Sequence, residues 1–263
     1  TESWTEEEFR DAAVKMTDES KGQYGVMLGA GVIDWGRAIY GNGETQIYDW
    51  NAKKMQATDN DALYHIWDLW INDLMLNEKA APAVLNSKDI GGGFETGKYG
   101  MALIGFWDIA EIHKVVQDSF EWDLIPLPTN ETYGQWRTQM YANALSISAN
   151  SEKKDAAFEY IKWTLENRDI QTNSVSLPVN KEISGDAEFL NEFADGAKHF
   201  NKQLALDALA NSVTWRNTGT VAEINNNVIK PEIERLILKP DSTDLKTVLE
   251  NIQTEGQKIF DAE

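Results

Sequence analysis

The chain of 263 residues contains no cysteine, which excludes a disulfide scaffold and a thiolate zinc site. Basic residues are also scarce: 24 lysines and arginines stand against 43 aspartates and glutamates, and the net charge is -19. Nucleic-acid-binding proteins and proteins that dock on anionic lipid depend on basic surface. The composition therefore argues against nucleic acid and against a lipid surface as partners.

Signatures of metal, cofactor and nucleophilic chemistry are missing as well. The three histidines are scattered, without a partner at metal-ligand spacing. The Gly91-Gly92-Gly93 run lacks the Lys-Ser/Thr ending of a phosphate-binding loop, and no G-x-S-x-G motif occurs. We therefore predict no metal, no cofactor and no enzymatic activity.

Glycoside hydrolysis is the catalytic alternative, because it needs only two carboxylates flanking a cleft. Asp34 and Asp108, each beside a tryptophan, are the best candidates for such a pair. Acidic residues in an acidic protein usually form a solvated surface, so capture without catalysis is the preferred interpretation.

Tryptophan is abundant, with 10 in the chain. Trp35, Trp107 and Trp215 fall in predicted loops at strand ends or before helices, where open α/β sheets bind ligands. Trp67, Trp70 and Trp163 have the helical spacing of core residues. On this pattern alone, the three loop tryptophans are explained equally well by packing and by ligand contact.

Hydrophobic periodicity predicts short apolar strands that are mostly followed by helices, which is an α/β pattern with a buried sheet. A capping box at Thr5 and Glu8 begins the first helix. Strong helices are predicted over 59–77, over 218–238 with a kink at Pro231, and from Ser242 onward. Predicted strands cover 24–28, 100–104, 122–127 and 144–148.

Six segments in order resemble the carbohydrate-binding family of bacterial solute-binding proteins of ABC transporters, which includes maltose-binding protein. They are S-W-T-E-E-E-F from Ser3, F-E-T-G-K-Y-G-M from Phe94, G-F-W from Gly105, I-P-L-P from Ile125, A-L-S-I-S from Ala144 with its following helix, and V-S-L-P from Val175. None is specific alone, but their order is.

The resemblance implies a periplasmic-binding-protein-like class II fold, mainly its C-terminal lobe, with a short sheet flanked by many helices. Residues 1–141 and 186–263 would form that ligand-binding lobe. Residues 142–185 would be a crossover segment that packs on an N-terminal lobe, most of which is absent from this sequence. An exposed crossover segment would be able to support a dimer.

The resemblance also implies that two lobes close on a sugar, a mono- or oligosaccharide, and that the closed form docks on an ABC permease in the membrane. Trp107, Trp215 and Trp35 would be stacking platforms for the sugar. Polar groups near them would pair with hydroxyls. The candidates are Asp34, Arg37, Asp108, Tyr141, Asn143 and Arg216.

This family works outside the cytoplasm, so the resemblance implies a periplasmic protein or a cell-surface lipoprotein. A polyamine or an oligopeptide is the nearer alternative ligand, since an acidic chain is able to line a pocket for a cation. Tyr141-Ala142-Asn143 replaces the Gly-Gly that often precedes the family's L-x-I-S strand, so the ligand contacts there are open.

Overall fold

The computed structural model describes residues 3–29, 31–37, 39–40, 47–49, 51–85, 91–172, 176–191, 202–214 and 218–262. These residues fold into two compact units. The first unit comprises residues 1–103, 127–140 and 211–263, and the second comprises 104–126 and 141–210. The sequence interpretation had instead grouped 104–126 and 186–210 with the first set, and the assignment of segments to lobes stays a prediction.

The helices and strands are short and mixed along the chain. The α-helices are α1 Glu6–Met16, α2 Gly31–Asp34, α3 Asp61–Trp67, α4 Phe106–Val116, α5 Lys154–Glu166, α6 Arg168–Thr172, α7 Lys181–Ser184, α8 Ala187–Asn191, α9 Gln203–Ala210, α10 Gly219–Ile224, α11 Lys230–Leu238 and α12 Leu245–Asp261. The strands are β1 Tyr24–Met27, β2 Tyr48–Asp49, β3 Lys54–Met55, β4 Tyr99–Ala102, β5 Thr129–Asn130, β6 Gly134–Gln135, β7 Gln139–Met140 and β8 Val213–Thr214.

The strands of the described residues pair two by two. β1 pairs with β4 in parallel, with Tyr24 opposite Tyr99, and β7 pairs with β8 in parallel. β2 with β3 and β5 with β6 are antiparallel. The α/β class is confirmed, with helices dominating over short sheets.

The predicted helices of the first unit are confirmed. Thr5 and Glu8 form the capping box, in which the Glu8 backbone N–H donates to the Thr5 hydroxyl at 3.1 Å. The helix predicted over 59–77 begins as α3 and continues as π-helix over Asp68–Asn77. Its Trp67 and Trp70 are fully buried, as their helical spacing predicted.

The long helix predicted over 218–238 consists of α10, a π-helical segment Asn225–Ile229, and α11, with Pro231 in the first turn of α11. α12 is capped by Asp244 and buries its predicted apolar face against α10 and α11. No helix among the described residues is long and apolar enough to cross a membrane.

Two predicted strands are wrong. Residues 122–127 and 144–148 have no regular secondary structure, and most of 144–148 is exposed. A strand is stabilised by a hydrogen-bonded neighbour, and among the described residues neither segment has one. The local apolar pattern indicated burial but carried no information about a partner.

The prediction of a core position for Trp163 is also wrong. Trp163 lies on α5 with half of its surface exposed, and α5 has no buried residue. Helical spacing defines an apolar face but not what covers that face. The sequence also predicts a helix over 188–200. The helix α8 covers its start, and residues 192–200 lie outside the described residues.

Candidate functional site

The first group of predicted site residues lies in the first unit, in the turn that follows β1. α2 carries Asp34, and Trp35 follows it directly. The Trp35 ring is partly buried against the core and lies on the backbone of its own turn. A Cβ at Gly31 would lie 2.4 Å from ring atom Cε3 of Trp35, so glycine there lets the ring fold back.

Arg37, three residues after Asp34, is buried, with only 2% of its side chain exposed. Its Nε donates to the Ile33 carbonyl at 2.8 Å, and its two Nη groups donate to Asp34 at 2.6 Å, to the Tyr48 hydroxyl at 3.0 Å and to the Asn225 side-chain oxygen. Burial raises the pKa of Tyr48 to about 12, so its hydroxyl stays protonated.

The second group lies in the second unit, at the start of α4. Trp107 is 43% exposed, and its ring meets the Tyr141 ring edge-to-face with centroids 5.3 Å apart. A Cβ at Gly105 would lie 2.2 Å from the Trp107 ring, so glycine is required for this ring position. The Asp108 carboxylate accepts from the Gly105 N–H at 3.0 Å and caps the helix.

The other predicted residue of the second unit is Asn143, whose side-chain amide donates to the Ser176 hydroxyl at 3.2 Å in an exposed setting. The second unit thus brings the Trp107 and Tyr141 rings together as an exposed aromatic pair. Asp108 follows Trp107 in the sequence, and its carboxylate is bound to the Gly105 N–H. Apolar ring faces with acceptors at their rim are the chemistry that a polyhydroxylated ligand requires.

Two predicted residues, Trp215 and Arg216, lie outside the described residues. They directly follow β8 in the sequence. Their roles stay predictions.

Sequence reasoning missed Asn225 and Tyr48, the two neutral partners of Arg37. A signal for Asn225 was present, because helical spacing from Val221 to Val228 places it on the inward face of that helix. An amide on an apolar face needs a partner, but the sequence does not say which one.

The first unit also has an open cavity of about 420 Å³. It is lined by Gln56, Asp59, Asn60, Asp61, Ala62, Thr132 and Tyr133. None of the predicted site residues lines it. Across the described part of the chain, no group of three histidine or acidic side chains is arranged to hold a metal ion.

Comparison with solved structures supports the fold over the whole chain. A substrate-binding protein of Listeria monocytogenes in complex with cycloalternan is 19% identical, with a TM-score of 0.73 over 98% of this chain and 64% of its own. The maltose/maltodextrin-binding domain MalE of Bdellovibrio bacteriovorus bound to maltotriose is 14% identical, with a TM-score of 0.72 over 98% of this chain and 67% of its own.

UgpB of Mycobacterium tuberculosis in complex with glycerophosphocholine is 21% identical, with a TM-score of 0.68 over 100% of this chain and 64% of its own. The chain thus spans about two thirds of the length of these proteins. At these identities the likeness shows the fold alone, which is that of class II periplasmic binding proteins. Comparison with curated proteins gives no match.

The family profile described as "Bacterial extracellular solute-binding protein" matches residues 1–169, well over half of the chain. Five of the six motifs lie within the matched residues, and the sixth, from Val175, lies beyond them. The chain therefore belongs to the family of bacterial extracellular solute-binding proteins, whose members bind without catalysis and act outside the cytoplasm.

Proposed function

We propose that this protein captures a mono- or oligosaccharide outside the cell and that the captured sugar is delivered to an ABC permease. The observation that carries the proposal is the exposed pair formed by Trp107, at the start of α4, and Tyr141. The Listeria and Bdellovibrio relatives, described in complex with cycloalternan and maltotriose, support a sugar as the ligand.

The energetics fit a sugar of one or more rings. A tryptophan side chain buries about 150–250 Å², which at ~25 cal/mol per Å² gives an upper bound of roughly 4–6 kcal/mol. A sugar covers one face of the ring, so about half of that is realistic. Two such platforms supply roughly half to three quarters of the ~8 kcal/mol of a micromolar complex, and hydrogen bonds to hydroxyls must supply the rest.

Trp107→Ala is the direct test. We expect it to weaken binding of maltotriose by about 2 kcal/mol, roughly 30-fold, while thermal stability changes little because the ring is 43% exposed. Calorimetric titration and a thermal melt on the same samples measure the two quantities.

Trp163→Ala is the matched control, since Trp163 lies in the same unit and is 50% exposed. It should leave maltotriose affinity unchanged. If Trp107→Ala costs several kcal/mol of folding stability while the folded variant keeps its sugar affinity, Trp107 is a packing residue and the platform assignment is wrong.

Because the family acts outside the cytoplasm, we infer that this protein is either periplasmic or a lipoprotein on the cell surface. The crossover segment 142–185 carries large exposed apolar side chains. They are Leu145, Phe158, Tyr160, Trp163, Leu165 and Val179. We propose that this surface also supports self-association of the chain.

A cationic or phosphorylated solute is the alternative. The 420 Å³ cavity that contains Asp59 and Asp61 favours a polyamine, and the UgpB relative is described with glycerophosphocholine. A fluorescence screen with maltotriose, spermidine and glycerophosphocholine separates these ligands. Release of reducing ends from maltotriose would instead indicate a glycoside hydrolase.

A further inference from the structure

The turn that carries Asp34 and Trp35 is fixed from inside the first unit. On one side Arg37 donates to four acceptors, two of which come from distant elements: Tyr48 of β2 and Asn225 of the π-helical segment. The Tyr48 hydroxyl also donates to the Asn225 side-chain oxygen at 2.7 Å. Asn225 therefore accepts from two groups at once.

On the other side, Trp67 of α3 holds the same turn. Its indole N–H donates to the Val32 carbonyl at 2.8 Å. A Cβ at Gly36 would lie 2.6 Å from that indole nitrogen, so only glycine allows the contact. The turn is thus held on one side by the buried indole of Trp67 and on the other by the buried guanidinium of Arg37.

Asn225 is the first residue of the π-helical segment Asn225–Ile229. Such segments are uncommon inside helices and occur often at functional sites. Here Asn225 is half-buried and bonded to Arg37, whereas Asn226 and Asn227 are exposed. The three asparagines are chemically identical, so their positions alone distinguish them.

Asp34 and Arg37 differ sharply in exposure. The Asp34 side chain is 51% exposed and the Arg37 side chain is 2% exposed. The guanidinium is therefore buried, while the carboxylate that it holds faces solvent. The pair has no net charge, and its outer part is a carboxylate whose orientation is fixed.

We propose that Arg37, Tyr48 and Asn225 form an internal brace that positions the Asp34 carboxylate to accept hydrogen bonds from the hydroxyls of a neutral ligand. The positive charge of Arg37 also neutralises that carboxylate, so that it attracts cationic ligands less. The proposal rests on the proposed function. In it, Arg37 is a positioning residue rather than a ligand contact, and Asp34 with Trp35 forms the binding surface of the first unit.

Hydrogen exchange of the intact chain tests the brace without any ligand. Asn225→Ala removes the acceptor shared by Arg37 and Tyr48, and we expect amides of residues 31–37 to exchange about tenfold faster or more. The matched control Asn226→Ala should leave them unchanged. Asn225→Asp keeps the acceptor and should restore protection. If the amides of residues 31–37 exchange at the same rate in Asn225→Ala and in Asn226→Ala, the proposed brace is overturned.

Titration with maltotriose and spermidine tests the choice of ligand. Asp34→Asn should weaken maltotriose binding by about tenfold, and Asn226→Ala should not. Arg37→Met, in which a hydrophobic side chain replaces the buried cation, should lower maltotriose affinity and raise spermidine affinity by about threefold or more. If a folded Arg37→Met variant has the same ratio of maltotriose to spermidine affinity as the native chain, Arg37 does not neutralise Asp34 as proposed.

The hydrogen-exchange experiment and the ligand titrations together distinguish a failure of this proposal from a failure of the proposed function. Absence of maltotriose binding in the native chain counts against sugar capture, while the exchange data still decide whether the brace exists. Intact maltotriose binding in Asp34→Asn, with binding lost in Trp107→Ala, supports sugar capture and overturns the role of Asp34.

Discussion

At the scale of single residues, the most informative side chain is Glu6, which is buried in the first turn of α1. Its carboxylate accepts from Trp136 at 2.8 Å and Asn130 at 2.9 Å, and also from the Tyr40 hydroxyl. His65 of α3 lies 2.5 Å from the same carboxylate. This one group therefore joins α1, α3 and the β5–β6 hairpin.

The Glu6–His65 pair has a pH dependence with a definite sign. Burial raises the pKa of Glu6, but the hydrogen bonds from His65, Tyr40 and Trp136 outweigh it, and the pKa lies below its usual value of 4.5. The hydrogen bond to Glu6 raises the pKa of His65 above 6.5. Asp68 also favours the charged imidazole.

Stability from Glu6 is present above pH 4.5 and is lost as the pH falls through its lowered pKa. Stability from His65 is complete below pH 6.5 and is lost as the pH rises through its raised pKa. We therefore expect the first unit to be more stable at pH 5.5 than at pH 8, by at most about 1 kcal/mol, because His65 is partly exposed and screened.

Urea unfolding at the two pH values measures this difference. His65→Gln should reduce it, whereas His113→Gln, in the second unit, should preserve it. A pH dependence that is identical in the native chain and in His65→Gln would show that other groups are responsible.

At the scale of elements, α12 protects the edge of β3 with two glutamine side chains. The Gln253 amide donates to the Met55 carbonyl at 2.9 Å and accepts from the Ala57 N–H at 2.8 Å. Gln257, one helical turn later, accepts from the Met55 N–H and donates to the Lys53 carbonyl, both at 3.0 Å. Among the described residues β3 pairs with β2 alone, and these glutamine side chains bind the backbone groups of its other edge.

Gln257→Ala should leave the Met55 N–H without its acceptor. We expect faster hydrogen exchange at Met55 and a loss of about 1–2 kcal/mol in the stability of the first unit. Exchange followed by NMR and urea unfolding measure the two effects.

Glu250→Ala, an exposed position on the same helix, is the control and should change neither quantity. Unchanged exchange at Met55 in Gln257→Ala would mean that the strand edge does not depend on this amide.

At the scale of the whole molecule, the most unusual feature is a set of large apolar side chains on α5 that are exposed rather than buried. Phe158 is 59% exposed and Tyr160 is 61% exposed, and together with Trp163 they give α5 an unburied apolar surface. Exposed apolar surface of this kind favours association. The net charge of -19 opposes association through repulsion between copies, and that repulsion weakens with salt.

We therefore expect the chain to self-associate increasingly as salt concentration rises. A double variant with Phe158→Ser and Trp163→Ser should remain monomeric in sedimentation velocity at the same concentrations. Leu238→Ser, which removes an even more exposed apolar side chain from α11, is the control and should associate like the native chain. Equal association of the double variant and the native chain would rule out this surface.

Much of the fold was predictable because its signals are local. The capping box of α1 and the apolar faces of α3 and α12 follow from residues close together in sequence, and so does each of the six motifs taken singly. The same kind of signal correctly placed Trp67 and Trp70 in the core. The resemblance to the family named Trp107 and Tyr141 as candidate ligand residues. The structure brings their rings into contact, and their ligand role stays a prediction.

The sequence by itself determined the helices, the acidic character and the family of this protein. Only the tertiary structure decided which polar groups are buried, because their partners lie far away along the chain. Trp136 is 130 residues from Glu6, and Asn225 is 188 residues from Arg37. Local patterns carry no record of such contacts, so the same periodicity that placed Trp67 correctly placed Trp163 wrongly.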